Sequence, residues 1–89
     1  MNRIEKPWGY EEILHEDAWR IKKIVVEEGK RTSLQYHREK FEAWFYPDGH
    51  IVVIPPLTDH RLEGPVEVIE AAMGSDDDIV RLEDDYGRT

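Results

Sequence analysis

Cysteine is absent from this chain, so neither a disulfide nor a zinc–thiolate cluster can reinforce its fold. Basic residues are scarce: 12 Lys and Arg stand against 20 Asp and Glu, a net charge of −8. That balance argues against a nucleic-acid partner, whose phosphates need a basic surface. No apolar run approaches membrane-spanning length, and the N-terminus has no apolar secretory segment. No membrane partner is therefore expected, and the expected location is cytoplasmic. A convincing helical pattern is missing too. With 89 residues, 39% of them hydrophobic, residues 1–89 are expected to form a single minimal domain with a thin core. A bound metal or a second subunit is the reinforcement that remains.

What the chain does have is short runs of β-branched and aromatic residues separated by turn formers, the pattern of an all-β sandwich or barrel. Strands are expected at Trp19 to Val26, Thr32 to His37, Phe41 to Tyr46, His50 to Ile54, His60 to Glu63 and Val66 to Ala71. Pro47-Asp48-Gly49 is a strong turn signal, so residues 41–54 should close a tight hairpin. Pro55-Pro56 ends the strand that follows, because proline cannot donate to a ladder. Gly74 to Asp78 reads as a loop, and the acidic runs Asp76-Asp77-Asp78 and Glu83-Asp84-Asp85 as a solvated tail.

Four candidate metal ligands stand out. Gln35 and His37 are two apart on one strand and so share a face. Glu42 opens the next strand, and His60 comes from a separate segment. Imidazole and carboxylate donors suit zinc, manganese, iron or nickel, with zinc the first expectation, while an amide oxygen is a weaker ligand. On spacing alone, two histidines and a glutamate in so charged a chain are equally well read as ordinary surface residues.

The order of the surrounding residues adds to the spacing. G-x5-Q-x-H-x4-E-x6-G over Gly29 to Gly49, overlapping G-x5-P-x4-H from Gly49 to His60, resembles the two cupin motifs, with Gln35 in place of the first histidine. Lys6-Pro7-Trp8-Gly9, Ser33-Leu34-Gln35-Tyr36-His37, Glu42-Ala43-Trp44, Ile54-Pro55-Pro56, His60-Arg61-Leu62-Glu63 and the segment Asp78 to Arg88 are similar to the C-terminal cupin domain of type II mannose-6-phosphate isomerases. The resemblance covers nearly the whole chain. It implies a cupin jelly roll, the ligand set Gln35, His37, Glu42 and His60 for a divalent metal, and interconversion of mannose 6-phosphate and fructose 6-phosphate. Arg61, directly after His60, is the candidate for stabilising an enediolate or holding a sugar oxygen, and Lys40, otherwise read as a surface residue, stands where the family commonly has arginine, which implies contact with the phosphate.

One departure from the family is large. Gly49 serves both as the last glycine of the first motif and the first of the second, so nothing is left between the motifs. With jelly-roll strands lettered A to I, the sheets run B-I-D-G and C-H-E-F, and the missing piece is the E–F hairpin. The expected fold is thus a truncated cupin lacking its inter-motif hairpin. Strands D and G are already neighbours, so the ligand-bearing strands survive. Strand H loses a neighbour, and an open edge is normally covered. A homodimer is expected there, with Trp44, Phe45 and Tyr46 near the joint. Three functional readings stay open: a sugar-phosphate isomerase, a cupin that binds a sugar phosphate or other small polar ligand without turnover, and a structural dimeric remnant.

Overall fold

The computed structural model describes residues 2–89, apart from the side chain of Asp76 in the expected acidic tail. Eight strands form: β1 Asn2–Lys6, β2 Gly9–Glu16, β3 Arg20–Val26, β4 Leu34–His37, β5 Phe41–Phe45, β6 Ile51–Ile54, β7 Val66–Met73 and β8 Ile79–Glu83. A six-stranded antiparallel sheet runs β1-β2-β3-β7-β5-β6, and β4 pairs with β8 in a second sheet. The result is a cupin-like β-sandwich whose sheets do not close into a barrel.

The shortened connection behaves as a simple hairpin. Glu42 pairs with Ile54 and Phe45 with Ile51, and Tyr46 and Gly49 close the turn through backbone hydrogen bonds. Gly49 has φ +96°, a conformation that favours glycine. β3, β7, β5 and β6 lie in the order expected for B, I, D and G. The expected strand at His60 to Glu63 is reduced to isolated bridges, Gln35 to His60 and Arg31 to Glu63. It lies between Pro55-Pro56 and Gly64-Pro65, and its recorded backbone pairing runs only to the Arg31–Gln35 side.

Alternation along β3 and β7 builds the core. Ile24 and Val26 on β3 and Val68 on β7 face inward with Trp8, Trp44, Ile54 and Leu62. Gly9 and Gly64 are contact points: a Cβ on Gly9 would lie 2.0 Å from the Val25 carbonyl oxygen, and one on Gly64 1.9 Å from that of Glu27.

Three segments depart from the sequence-based expectation. β1 and β2 have no counterpart in it, because Glu11 and Glu12 break the apolar alternation; Glu11 faces Lys22 on the neighbouring strand at 3.2 Å. The acidic C-terminal segment is not a solvated tail. Its apolar residues Ile79 and Val80 pair as β8 with β4, and the carboxylates of Asp78, Glu83, Asp84 and Asp85 find partners. Asp85 binds Arg31 at 2.8 Å, while Asp84 accepts from the Arg88 backbone amide at 2.7 Å and from its guanidinium at 2.9 and 3.0 Å. This turn holds Tyr86 against the core.

The Arg88 contacts outweigh burial and hold Asp84 down at about 2. The ordinary aspartate value is about 3.9, so the lowered group adds stability above pH 4 that is lost as pH falls from about 4 toward 2. Asp84→Asn is expected to cost about 2 kcal/mol at neutral pH, given its charge-assisted hydrogen bonds. Urea unfolding between pH 2 and 7 should show a flatter acid limb in the variant; an unchanged limb would contradict the assignment.

Candidate metal centre

β4 and β5 deliver His37 and Glu42 to the interior between the sheets, and the bridge to Gln35 brings His60 beside them. All three are buried, and one ligand atom from each lies within 4.8 Å of the others. His37 Nε2 is 3.0 Å and His60 Nε2 3.4 Å from Glu42 Oε1. The imidazoles stack with centroids 5.5 Å apart, and the Trp44 ring meets His60 edge-on.

The far side of each ring sets its tautomer. His60 Nδ1 lies 2.8 Å from the Thr58 carbonyl oxygen, which can only accept, so Nδ1 carries the proton and the Nε2 lone pair points inward. His37 Nδ1 lies 2.8 Å from Asp78 Oδ1, the arrangement in which a carboxylate orients a ligating imidazole. Neither Glu42 Oε1 nor His60 Nε2 has an aligned hydrogen-bond partner although both are buried. An inward lone pair and a carboxylate oxygen left in this state fit a cation.

Gln35 joins the group in a particular orientation. Its Nε2 faces His37 Nε2 at 3.4 Å, while its Oε1 accepts from the Ser33 hydroxyl. Serving a cation requires the amide to turn over, and Ser33 can then accept from the nitrogen instead.

Electrostatics follow from the burial. Desolvation raises the Glu42 carboxyl, but His37, His60 and Lys40 outweigh it and hold the group far below the carboxylate range. Burial lowers His37, yet Glu42 and Asp78 on either side hold it above its ordinary value. Asp78 is lowered despite burial, by the Glu39 amide, the His37 ring and the Lys40 amide. Behind the site runs a chain of alternating charge. Lys40 Nζ lies 3.5 Å from Glu42 and 3.6 Å from Glu70, and Lys22 Nζ lies 3.6 Å from Glu70. Glu70 also accepts from the Trp44 indole at 3.2 Å, and burial together with the Glu42 charge pushes it up to about 7.

The four expected ligands therefore come together. Lys40 does not sit on the surface: it is 3% exposed, its ammonium drawn inward by Glu42 and Glu70. Arg61 is directed elsewhere. Its guanidinium donates to the Thr32 carbonyl at 3.2 Å and pairs with Glu83 at 3.3 Å, because residues 60 and 61 alternate in direction and His60 takes the inward one. Trp44 belongs to the interior rather than to a joint between chains. Sequence reasoning missed Asp78, hidden in an acidic run, as well as Glu70 and Lys22; the apolar pair Ile79-Val80 behind Asp78 was the available signal.

A cavity of about 130 Å³ opens beside the cluster, lined among others by Trp8, Gln35, Lys40, Glu70 and Arg81.

Residues 1–55 match the family model described as "Mannose-6-phosphate isomerase C-terminal". The xanthan biosynthesis protein XanB of Xanthomonas campestris pv. campestris (strain B100) is 35% identical over 111 aligned positions, covering 98% of this chain and 24% of that protein. The alginate biosynthesis protein AlgA of Pseudomonas aeruginosa is 36% identical, over 97% of this chain and 23% of its own length. A mannose-1-phosphate guanylyltransferase of Escherichia coli (strain K12) is 33% identical, over 96% and 23%. The chain thus spans about a quarter of the length of these relatives. The XanB alignment runs over 111 positions against 89 residues here, so that relative carries residues this chain lacks.

Proposed function

The chain belongs to the mannose-6-phosphate isomerase C-terminal family, and from that premise we propose that it holds one divalent metal ion, zinc first among zinc, manganese, iron and nickel, and isomerises mannose 6-phosphate to fructose 6-phosphate. The observation that carries this reading is the convergence of two imidazoles and one carboxylate, both rings oriented from behind and the atoms Glu42 Oε1 and His60 Nε2 buried without an aligned hydrogen bond. His37, Glu42 and His60 would hold the ion, with Gln35 as a fourth donor once its amide turns over. When bound, the ion supplies Lewis-acid polarisation of a substrate carbonyl.

The remaining work falls to the chain's own groups. Asp78 keeps the His37 ring aimed, and Trp44 covers one side of His60 and limits water. Lys40 balances the Glu42 charge. Moving a proton between adjacent carbons needs a base that is not a ligand. Glu70 is the cavity-lining carboxylate that meets this need, with an Oε2 that accepts no hydrogen bond.

Elemental analysis of the purified chain is expected to give one metal per chain, and Glu42→Ala to give none. Asp78→Asn should weaken metal affinity by about 10- to 100-fold, the usual effect of losing a group that orients a ligand. Metal-free protein at every step would remove the reading. A coupled assay should detect turnover of mannose 6-phosphate by the loaded chain and none by Glu42→Ala. Absence of turnover at full loading would leave a metal-dependent binder in its place.

The expected homodimer fits a different edge from the one read in the sequence. β6 is the terminal strand of the large sheet, its four residues Ile51-Val52-Val53-Ile54 are uncharged, and Ile51 and Val53 are 56% and 55% exposed. Such an edge lacks the charges that normally oppose pairing, and antiparallel pairing with its own copy satisfies twofold symmetry. Light scattering at micromolar concentration should give a dimer that Val53→Lys converts to a monomer; a monomeric parent chain would refute this.

A further inference from the structure

We propose that Lys6 and Arg81 form an anion subsite at the cavity, suited to the phosphate of a phosphorylated sugar; this deepens the isomerase reading and rests on it for the sugar. Acidic residues far outnumber basic ones, and most cations have found one. Lys22 and Lys40 are tied to Glu11, Glu42 and Glu70, and Arg88 to Asp84. Among the described residues lining the cavity, Lys6 and Arg81 are the cations that form no ion pair.

Arg81 is the stronger half. Its Nε is buried and makes no hydrogen bond. Leaving a buried guanidinium nitrogen unsatisfied is costly, while acids stand nearby in sequence at Glu83, Asp84 and Asp85. Those acids instead serve Arg61, Arg88 and Arg31.

Placement also favours an incoming ligand. Arg81 is the cross-strand partner of Gln35, so its side chain leaves the same face of the small sheet as the amide beside His37. Lys6 ends β1 on the other sheet, just before the buried Trp8. Two cations from opposite sheets, one a planar fork of donors, suit a dianionic oxyanion group. The metal cluster would then take the sugar end of the same molecule. Lys40, drawn toward Glu42 and Glu70, is not part of this subsite.

The test is titration of the metal-free chain with inorganic phosphate at low salt, followed by calorimetry and by the side-chain ¹⁵N–¹H signal of Arg81 Nε. Saturable binding that shifts the Arg81 signal is expected. Arg81→Gln should weaken it by about tenfold or more, the scale of a lost charge-assisted contact. Lys6→Gln should weaken it less, Arg81→Lys should keep a measurable part, and Arg38→Gln, an exposed cation away from the cavity, should leave it unchanged. An unmoved Arg81 signal overturns the proposal, as does equal loss in Arg81→Gln and Arg38→Gln. Using metal-free protein separates the two readings: phosphate binding with no metal uptake sinks the metal site alone, and metal uptake without phosphate binding sinks the subsite alone. Mannose 6-phosphate should bind more tightly than mannose, and equal binding of the two counts against the subsite.

Discussion

A fully desolvated carboxylate at Glu42 is the constraint around which this small protein is arranged. It is 2% exposed and strongly ionised. A lone buried charge is prohibitive, so every neighbour compensates for it: two imidazoles in front, Lys40 behind, then Glu70, Lys22 and Glu11 in alternating sign. Buried ion pairs of this kind seldom stabilise a fold better than well-packed apolar residues of the same volume would. In a chain with a core this thin, the network is a burden for folding, which makes a chemical use its natural explanation.

The same constraint clarifies why the shortened connection is tolerated. None of the groups that compensate Glu42 lies in the region between the two motifs. They come from β2, β3, β4 and β7, from the stretch before β5 and from the segment around His60. Joining β5 directly to β6 through a tight turn removes pairing partners from the sandwich without touching the charge network. What it alters is exposure: the His60 segment is held by bridges rather than a ladder, and β6 is left as an uncharged edge.

Much of this was legible beforehand, and for identifiable reasons. The hairpin over residues 41–54 could be read because Pro47-Asp48-Gly49 fixes a turn locally. The candidate ligand group could be read because the order of residues around it resembles the cupin motifs; the i, i+2 spacing of Gln35 and His37 alone left it no better than a surface group. Asp78, Glu70 and Lys22 were not legible, since nothing local distinguishes a charged residue turned inward by a distant partner from one facing water. Lys40 shows the limit most clearly. By sequence it is another cation in a run of polar residues; only its juxtaposition with Glu42 and Glu70 reveals a buried counter-charge. Arg61 is the reverse case: adjacency to His60 drew attention to it, and its guanidinium meets the Thr32 carbonyl and Glu83.

The XanB relative carries residues this chain lacks, and Lys6-Pro7-Trp8-Gly9 and the segment Asp78 to Arg88 are present here. Fold alone accounts for Trp8 and Tyr86, which cover the core, and for the turn in which Asp84 holds Arg88. It does not account for Lys6 or for Arg81, because a cation without a counter-charge beside a cavity weakens a small domain rather than supporting it. Asp78 bridges the two demands. One of its oxygens aims His37 and the other caps the amides of Glu39 and Lys40, so the segment that carries Arg81 is anchored to the buried histidine–carboxylate cluster itself. Removing that segment would therefore disturb the histidine.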